Sequence, residues 1–129
     1  MKVIARNDNY IIMVDEAKNR IYLTIIGFWK DLGMVPNYLD DITKAGQSVS
    51  TGFTILTDVT KMKVPTPEVG EIHGKAQGIL VGAGLSKTAE ILPADAIAQI
   101  AVDRYSKKSG MKKASFSTFE EAEKWLDES

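Results

Sequence analysis

One segment, residues 55–68, constrains the fold of this chain more than any other. It begins as an apolar strand ending at Asp58, passes through a polar loop, and opens a helix at Thr66-Pro67-Glu68. A strand that leads directly into a helix is the building unit of α/β domains. In open α/β sheets, the carboxyl end of a strand and the N-terminus of the next helix commonly form the working surface. The sequence therefore predicts an α/β fold with a candidate surface at Asp58, Thr60, Thr66 and Glu68.

The first half of the chain predicts an antiparallel hairpin followed by a helix. Residues 10–14 and 20–28 are rich in β-branched and aromatic residues, and the polar residues 15–19 between them are typical of a turn. Residues 3–5 predict either a short first strand or a frayed terminus. From Pro36 to Val49, apolar residues recur at three- and four-residue spacing, which indicates an amphipathic helix.

The second half alternates strands and helices. Strands are predicted at 52–58, 88–92 and 113–116, and helices at 67–82, 93–108 and 119–127. The whole pattern predicts a mixed sheet of about five strands that starts with an antiparallel hairpin and is covered by four helices. We treat residues 1–129 as a single domain, because no stretch has the composition of a linker.

The last helix has the clearest local signature. Thr118-Phe119-Glu120-Glu121 fits a capping box, in which the threonine hydroxyl accepts from a backbone N–H and the glutamate reaches back. Phe119, Ala122, Trp125 and Leu126 then share one face. We expect this face to dock on the sheet and to bury Trp125.

Three segments together carry a family resemblance: residues 22–29, the strand ending in Asp58, and residues 119–126, Phe-Glu-Glu-Ala-Glu-Lys-Trp-Leu. They resemble the small bacterial STAS-like proteins grouped with sporulation anti-sigma-factor antagonists. The resemblance implies a non-enzymatic cytoplasmic domain that binds proteins or, in related folds, small or lipidic ligands. It also implies a phosphorylatable serine in an Asp-Ser-Ser-Gly motif at the start of a helix. The nearest match here, Thr66-Pro67-Glu68-Val69, has no serine, so we predict that Thr66 caps the helix and is not a regulatory site.

Composition excludes several classes of function. The 129 residues include 17 acidic and 16 basic side chains, so no overall field favours nucleic acid or an anionic membrane. No cysteine is present, which removes disulfides and thiolate chemistry. No apolar run suggests a signal peptide or membrane insertion. We expect a cytoplasmic protein without cofactor or metal.

The inventory of reactive side chains shows no catalytic set. His73 is the only histidine, lacks an acidic residue one turn away, and is predicted to be a surface or edge residue rather than a general base. Asp40-Asp41 lacks the spacing of a calcium loop. Gly82-Ala83-Gly84 follows a helix, which indicates a helix stop rather than a phosphate loop. The lysines at 107, 108, 112 and 113 are interpreted as a solvated helix end.

Two features of the candidate surface have both a structural and a functional interpretation. Asp58 either forms a turn with Thr60, which we favour, or binds a ligand or partner. Gly70, Gly74, Gly78 and Gly82 recur every fourth residue, opposite the apolar stripe of their helix. Either they form a smooth outward face for close approach, or Gly70 and Gly82 merely belong to the two ends of the helix.

Three hypotheses on function follow. The first is a protein-interaction module, regulatory and able to form a homodimer, that uses the second helix and its preceding loop: Asp58, Thr60, Thr66, Glu68, Gly70, Gly74 and Gly78. The second is a carrier of a small apolar ligand or lipid, held between the hairpin and the outer helices. The third is an enzyme that uses Asp58 and Thr60.

Overall fold

The computed structural model describes residues 1–63, 66–91 and 113–128. These residues form one six-stranded sheet in the order β1-β2-β3-β4-β5-β6. The strands are β1 Lys2–Arg6, β2 Tyr10–Asp15, β3 Arg20–Gly27, β4 Thr54–Met62, β5 Lys87–Ile91 and β6 Lys113–Phe116. The α-helices are α1 Tyr38–Gln47, α2 Pro67–Gly82 and α3 Phe119–Asp127, and a 3₁₀ turn spans Leu32–Met34.

The sheet is mixed, as predicted. Strands β1, β2 and β3 are antiparallel neighbours, and the predicted hairpin forms with Tyr10 opposite Ile25 and Asp15 opposite Arg20. From β3 to β6 all neighbours are parallel. The predicted count of about five strands was one too low, because residues 2–6 pair with β2 instead of fraying. The helix predicted at 93–108, and with it most of the basic cluster, lies outside the described residues.

Strand β4 continues beyond Asp58 to Met62, so the prediction that it ends at Asp58 was wrong. Opposite β3 the register shifts after Thr24–Asp58, which permits pairing to resume at Ile26–Lys61. The Asp58 carboxylate accepts from the Thr60 backbone N–H at 2.9 Å and from its hydroxyl at 2.7 Å. The predicted turn between these two residues therefore exists, but as an irregularity inside a paired strand.

Helices cover the sheet on both faces. The larger core lies between the sheet and helices α1 and α2, and its strand residues include Ile12, Leu23 and Ile55. The smaller core lies under α3, where Ala122 and Leu126 are buried against Leu56 and neighbouring strand residues. Successive side chains along each strand lie in opposite cores, so the two faces of the sheet carry different sets of residues.

Helix α3 docks as predicted, but two of its aromatic residues are less buried than expected. Trp125 is only partly buried: it packs against Phe116 of β6, with the Lys87 ammonium 4.1 Å from its ring centroid. Phe119 is 48% exposed and stacks on Tyr22. The prediction of a buried Trp125 was wrong: at the edge of the described sheet its ring lies between Phe116 and the flexible Lys87 side chain, which leaves it partly accessible.

Candidate functional site

The start of α2 has the geometry predicted for a capped helix. Thr66 has an extended backbone, and its side-chain oxygen accepts from the Val69 backbone N–H at 3.3 Å. Pro67 occupies the start of the helix, where its missing N–H is not needed. Glu68 is exposed in the first turn, where its negative charge interacts favourably with the N-terminal end of the helix dipole.

The sheet separates the predicted surface into two parts. Asp58 lies on the face that α3 covers, where it lines a groove with Tyr22 and Phe119. Thr66 and Glu68 belong to α2, which packs on the opposite face. The sequence could not show this separation, because it depends on which face of the sheet α2 packs against.

The outer face of α2 carries three of the four predicted glycines. A Cβ built at Gly74, Gly78 or Gly82 would meet no atom of the described chain within 4 Å. Gly70 is buried instead, so the prediction that all four face outward was wrong. Residues four apart in an α-helix are rotated by about 40°, so the row turns around the helix and its first member reaches the flank.

His73 lies inside the larger core, which contradicts the prediction of a surface or edge residue. Its ring stacks on Trp29 with a centroid distance of 4.9 Å and meets the ring of Tyr38 at 5.9 Å. Burial lowers the pKa of His73 to about 4. The residue is therefore neutral at pH 7. Its helical spacing from Val69, Ala76 and Leu80 was the signal that would have predicted this burial.

A small polar cavity lies beside His73, between α2 and the sheet. It has a volume of about 20 Å³ and is lined by His73, Gln77, Thr57 and Glu90 with three apolar side chains. This volume is sufficient for about one water molecule. Glu90 was missed in the sequence analysis, although a carboxylate between the apolar residues Ala89 and Ile91 of the strand predicted at 88–92 was a visible signal.

The groove on the α3 side of the sheet is much larger, with a volume of about 330 Å³. Its floor is formed by Met13, Tyr22 and Leu56, which are neighbours across β2, β3 and β4. Phe119 lines it from the start of α3. Asp58 was predicted from the sequence, but the groove was not, because its lining residues come from distant parts of the chain.

A network of ion pairs fixes α3 beside this groove. Lys18 and Arg20 contact the Glu123 carboxylate at 2.7 and 3.0 Å, and Arg20 also contacts Asp127 at 3.0 Å. The Tyr22 hydroxyl donates to Glu123 at 2.7 Å. Burial opposes ionisation of Glu123, but the hydrogen bonds from Lys18 and Tyr22 and the charge of Arg20 outweigh it and lower the pKa of the carboxyl group. Burial, together with the bond to Glu123, raises the pKa of Tyr22 to about 12.

Residues 1–63, 66–91 and 113–128 hold neither a cluster of metal ligands nor a membrane-spanning helix. No group of three or more histidine, aspartate or glutamate side chains there has an arrangement suitable for a metal ion. No helix in the same ranges combines the length and apolar character needed to cross a bilayer.

Comparison with known proteins identifies the fold. No family model and no curated protein matches the chain. The structure of the anti-sigma factor antagonist SpoIIAA in its unphosphorylated form matches with a TM-score of 0.57 and 17% identity, over 92% of this chain and 97% of that one. An uncharacterised protein of the DUF3478 family with a SpoIIAA-like fold, from Shewanella loihica PV-4, matches with a TM-score of 0.57 and 14% identity, over 95% and 97% of the two chains. The STAS-like fold implied by the sequence resemblance is therefore confirmed.

Proposed function

We propose that this protein is a non-enzymatic, regulatory protein-interaction domain that associates through the outer face of α2, most simply with a second copy of itself. The observation that carries the proposal is the open space at Gly74, Gly78 and Gly82. The SpoIIAA-like fold supports it, because one solved protein with this fold is an antagonist of another protein.

Within residues 1–63, 66–91 and 113–128, packing of the monomer gives no reason for glycine at these three positions. None of them has a positive φ, unlike Gly84, where a Cβ would approach Thr51 to 2.8 Å. Each glycine inside a helix costs about 1 kcal/mol relative to alanine. A partner that approaches the α2 backbone closely would supply the missing reason.

The neighbouring side chains suit an interface of moderate polarity. Val81 is 38% exposed beside the glycines, and Glu71 and Lys75 are exposed one helical turn apart. An apolar centre with charges at its margin is the usual composition of a protein interface. The burial of His73 in the aromatic cluster supports a role without acid–base catalysis.

The test is Gly74→Leu, with Lys124→Leu as a matched control on α3. Leucine at position 74 should leave the monomer folded, because it enters open space and raises helix propensity, but it should block close approach. We expect a loss of dimer mass in sedimentation velocity, or a loss of one partner in affinity purification from the source cell, for Gly74→Leu alone. Wild-type mass and wild-type partner recovery in both variants would refute the α2 interface.

A further inference from the structure

The groove on the α3 side of the sheet has an apolar floor that ends in a row of polar groups. Met13, Tyr22 and Leu56 lie side by side across three strands. Thr24 and Asp58, paired with each other, follow two residues further along β3 and β4. Two residues of strand span about 7 Å, so one small molecule can contact both rows.

The polar row retains unused hydrogen-bonding capacity. Both contacts from Thr60 go to Oδ1 of Asp58, and Oδ2 has no hydrogen-bond partner among the described residues. The Thr24 hydroxyl has none in that part of the chain either. A carboxylate oxygen and a hydroxyl side by side suit a ligand group that donates several hydrogen bonds.

The charges around the groove favour a cation. Asp15, Asp58 and Glu123 line it, against Lys18 as the basic side chain. That ammonium is already held 2.7 Å from Glu123, which leaves the two aspartates to set the local field. Oε2 of Glu123 is also buried without a hydrogen-bond partner among the described residues.

Apolar and aromatic side chains at the groove favour a ligand whose remaining part is apolar. Phe119 is 48% exposed and stacks nearly parallel to Tyr22, with a centroid distance of 6.1 Å. Met1 also lines the groove and is 73% exposed. Large apolar side chains exposed around a concave surface are typical of a binding site.

We propose that this groove binds a small organic amine with an apolar body. The protonated nitrogen donates to Oδ2 of Asp58 and to the Thr24 hydroxyl. The apolar body lies on Met13 and Tyr22 and against the edge of Phe119. The groove and the α2 face are on opposite sides of the sheet, so this proposal does not depend on the α2 interface.

Three probes of similar shape test the proposal: 2-phenylethylamine, the neutral 2-phenylethanol and the anionic 3-phenylpropanoate. Each is titrated into ¹⁵N-labelled protein at pH 7, and shifts of the backbone amides are followed. We expect the amine to bind roughly tenfold more tightly than the alcohol, because it forms a charge-assisted hydrogen bond, and the anion not to bind. The largest shifts should fall at Thr24, Asp58 and Phe119.

Three variants separate the interactions. Asp58→Asn keeps an oxygen for Thr60 but removes the charge, so it should abolish the preference for the amine. Phe119→Ala should weaken the amine and the alcohol equally, and Asp8→Asn, at an exposed turn, should change neither. Gly74→Leu should also bind the amine normally, which distinguishes this site from the α2 interface.

Each other outcome refutes the proposal. Equal affinity for amine and alcohol would show that the carboxylate does not select the ligand. An amine preference that survives in Asp58→Asn, or shifts that cluster away from the groove, would place binding elsewhere. Absence of binding by every probe at millimolar concentration would show that the groove is not a site for this class.

Discussion

Lowering the pH from 7 to 5 should destabilise the fold through His73. The pKa of this residue is about 4 in the folded protein, because burial excludes the charged ring, and returns to the ordinary 6.5 on unfolding. Below pH 6.5 the unfolded chain therefore binds a proton that the folded chain does not. The contribution of neutral His73 to the free energy of unfolding is fully present above this pH, and it is lost as the pH drops towards 4.

The size of the effect follows from the two pKa values. Between pH 7 and pH 5, proton linkage through this single group lowers the free energy of unfolding by about 2 kcal/mol. His73 is the only histidine, so no other side chain has an ordinary pKa inside this interval. Tyr38 and Trp29 face its ring, and Glu90 lines the cavity beside it.

Urea denaturation at pH 7, 6 and 5 measures the effect, with His73→Phe as the matched variant. Phenylalanine retains a ring against Trp29 but binds no proton. As the pH falls from 7 to 5, the free energy of unfolding of the wild type should decrease by about 2 kcal/mol more than that of the variant. Identical pH dependence in the two proteins, or an NMR titration of the His73 ring in the folded protein near pH 6.5, would refute the argument.

Three further substitutions test local features of the fold by the same denaturation assay. Thr66→Ala should lower the free energy of unfolding by about 1 kcal/mol through loss of the helix cap. Mass measurement of protein from its native cell should show no phosphate on Thr66. Stoichiometric phosphate there would restore a regulatory switch. Trp125→Ala should cost only about 2 kcal/mol, less than Leu126→Ala at about 3 kcal/mol, because Leu126 is fully buried; the reverse order would contradict the described position of α3. Arg20→Ala should cost about 3 kcal/mol because it leaves the Glu123 network incomplete, and a loss below 1 kcal/mol would show that these ion pairs do not hold α3.

Local signals in the sequence predicted most of the elements. Strong caps fixed the start of α2 at Thr66 and of α3 at Thr118, and the structure confirms both. The hairpin of β2 and β3 was visible from two runs of β-branched and aromatic residues around a polar turn. These features depend on neighbours within a few residues, which a single sequence displays.

Features that depend on distant partners were predicted less well. The continuation of β4 past Asp58 requires β3 to supply hydrogen bonds across an irregular register. The groove combines Met13, Tyr22, Asp58 and Phe119, whose proximity follows only from the strand order. His73 was predicted to be a surface or edge residue from the lack of an acidic residue one turn away, whereas its spacing from Val69, Ala76 and Leu80 is the better guide to its burial.

The central claim, an interface on α2, is tested most directly by cross-linking from beside the glycines. The chain contains no cysteine, so Glu71→Cys provides a single attachment point for a benzophenone on the exposed side of α2, and Lys124→Cys provides the same on α3. We predict that the label at position 71 cross-links to a second copy or to one protein partner, that the label at 124 does not, and that adding Gly74→Leu abolishes the product. Equal cross-linking from both positions, or a product that persists with Gly74→Leu, would contradict the account.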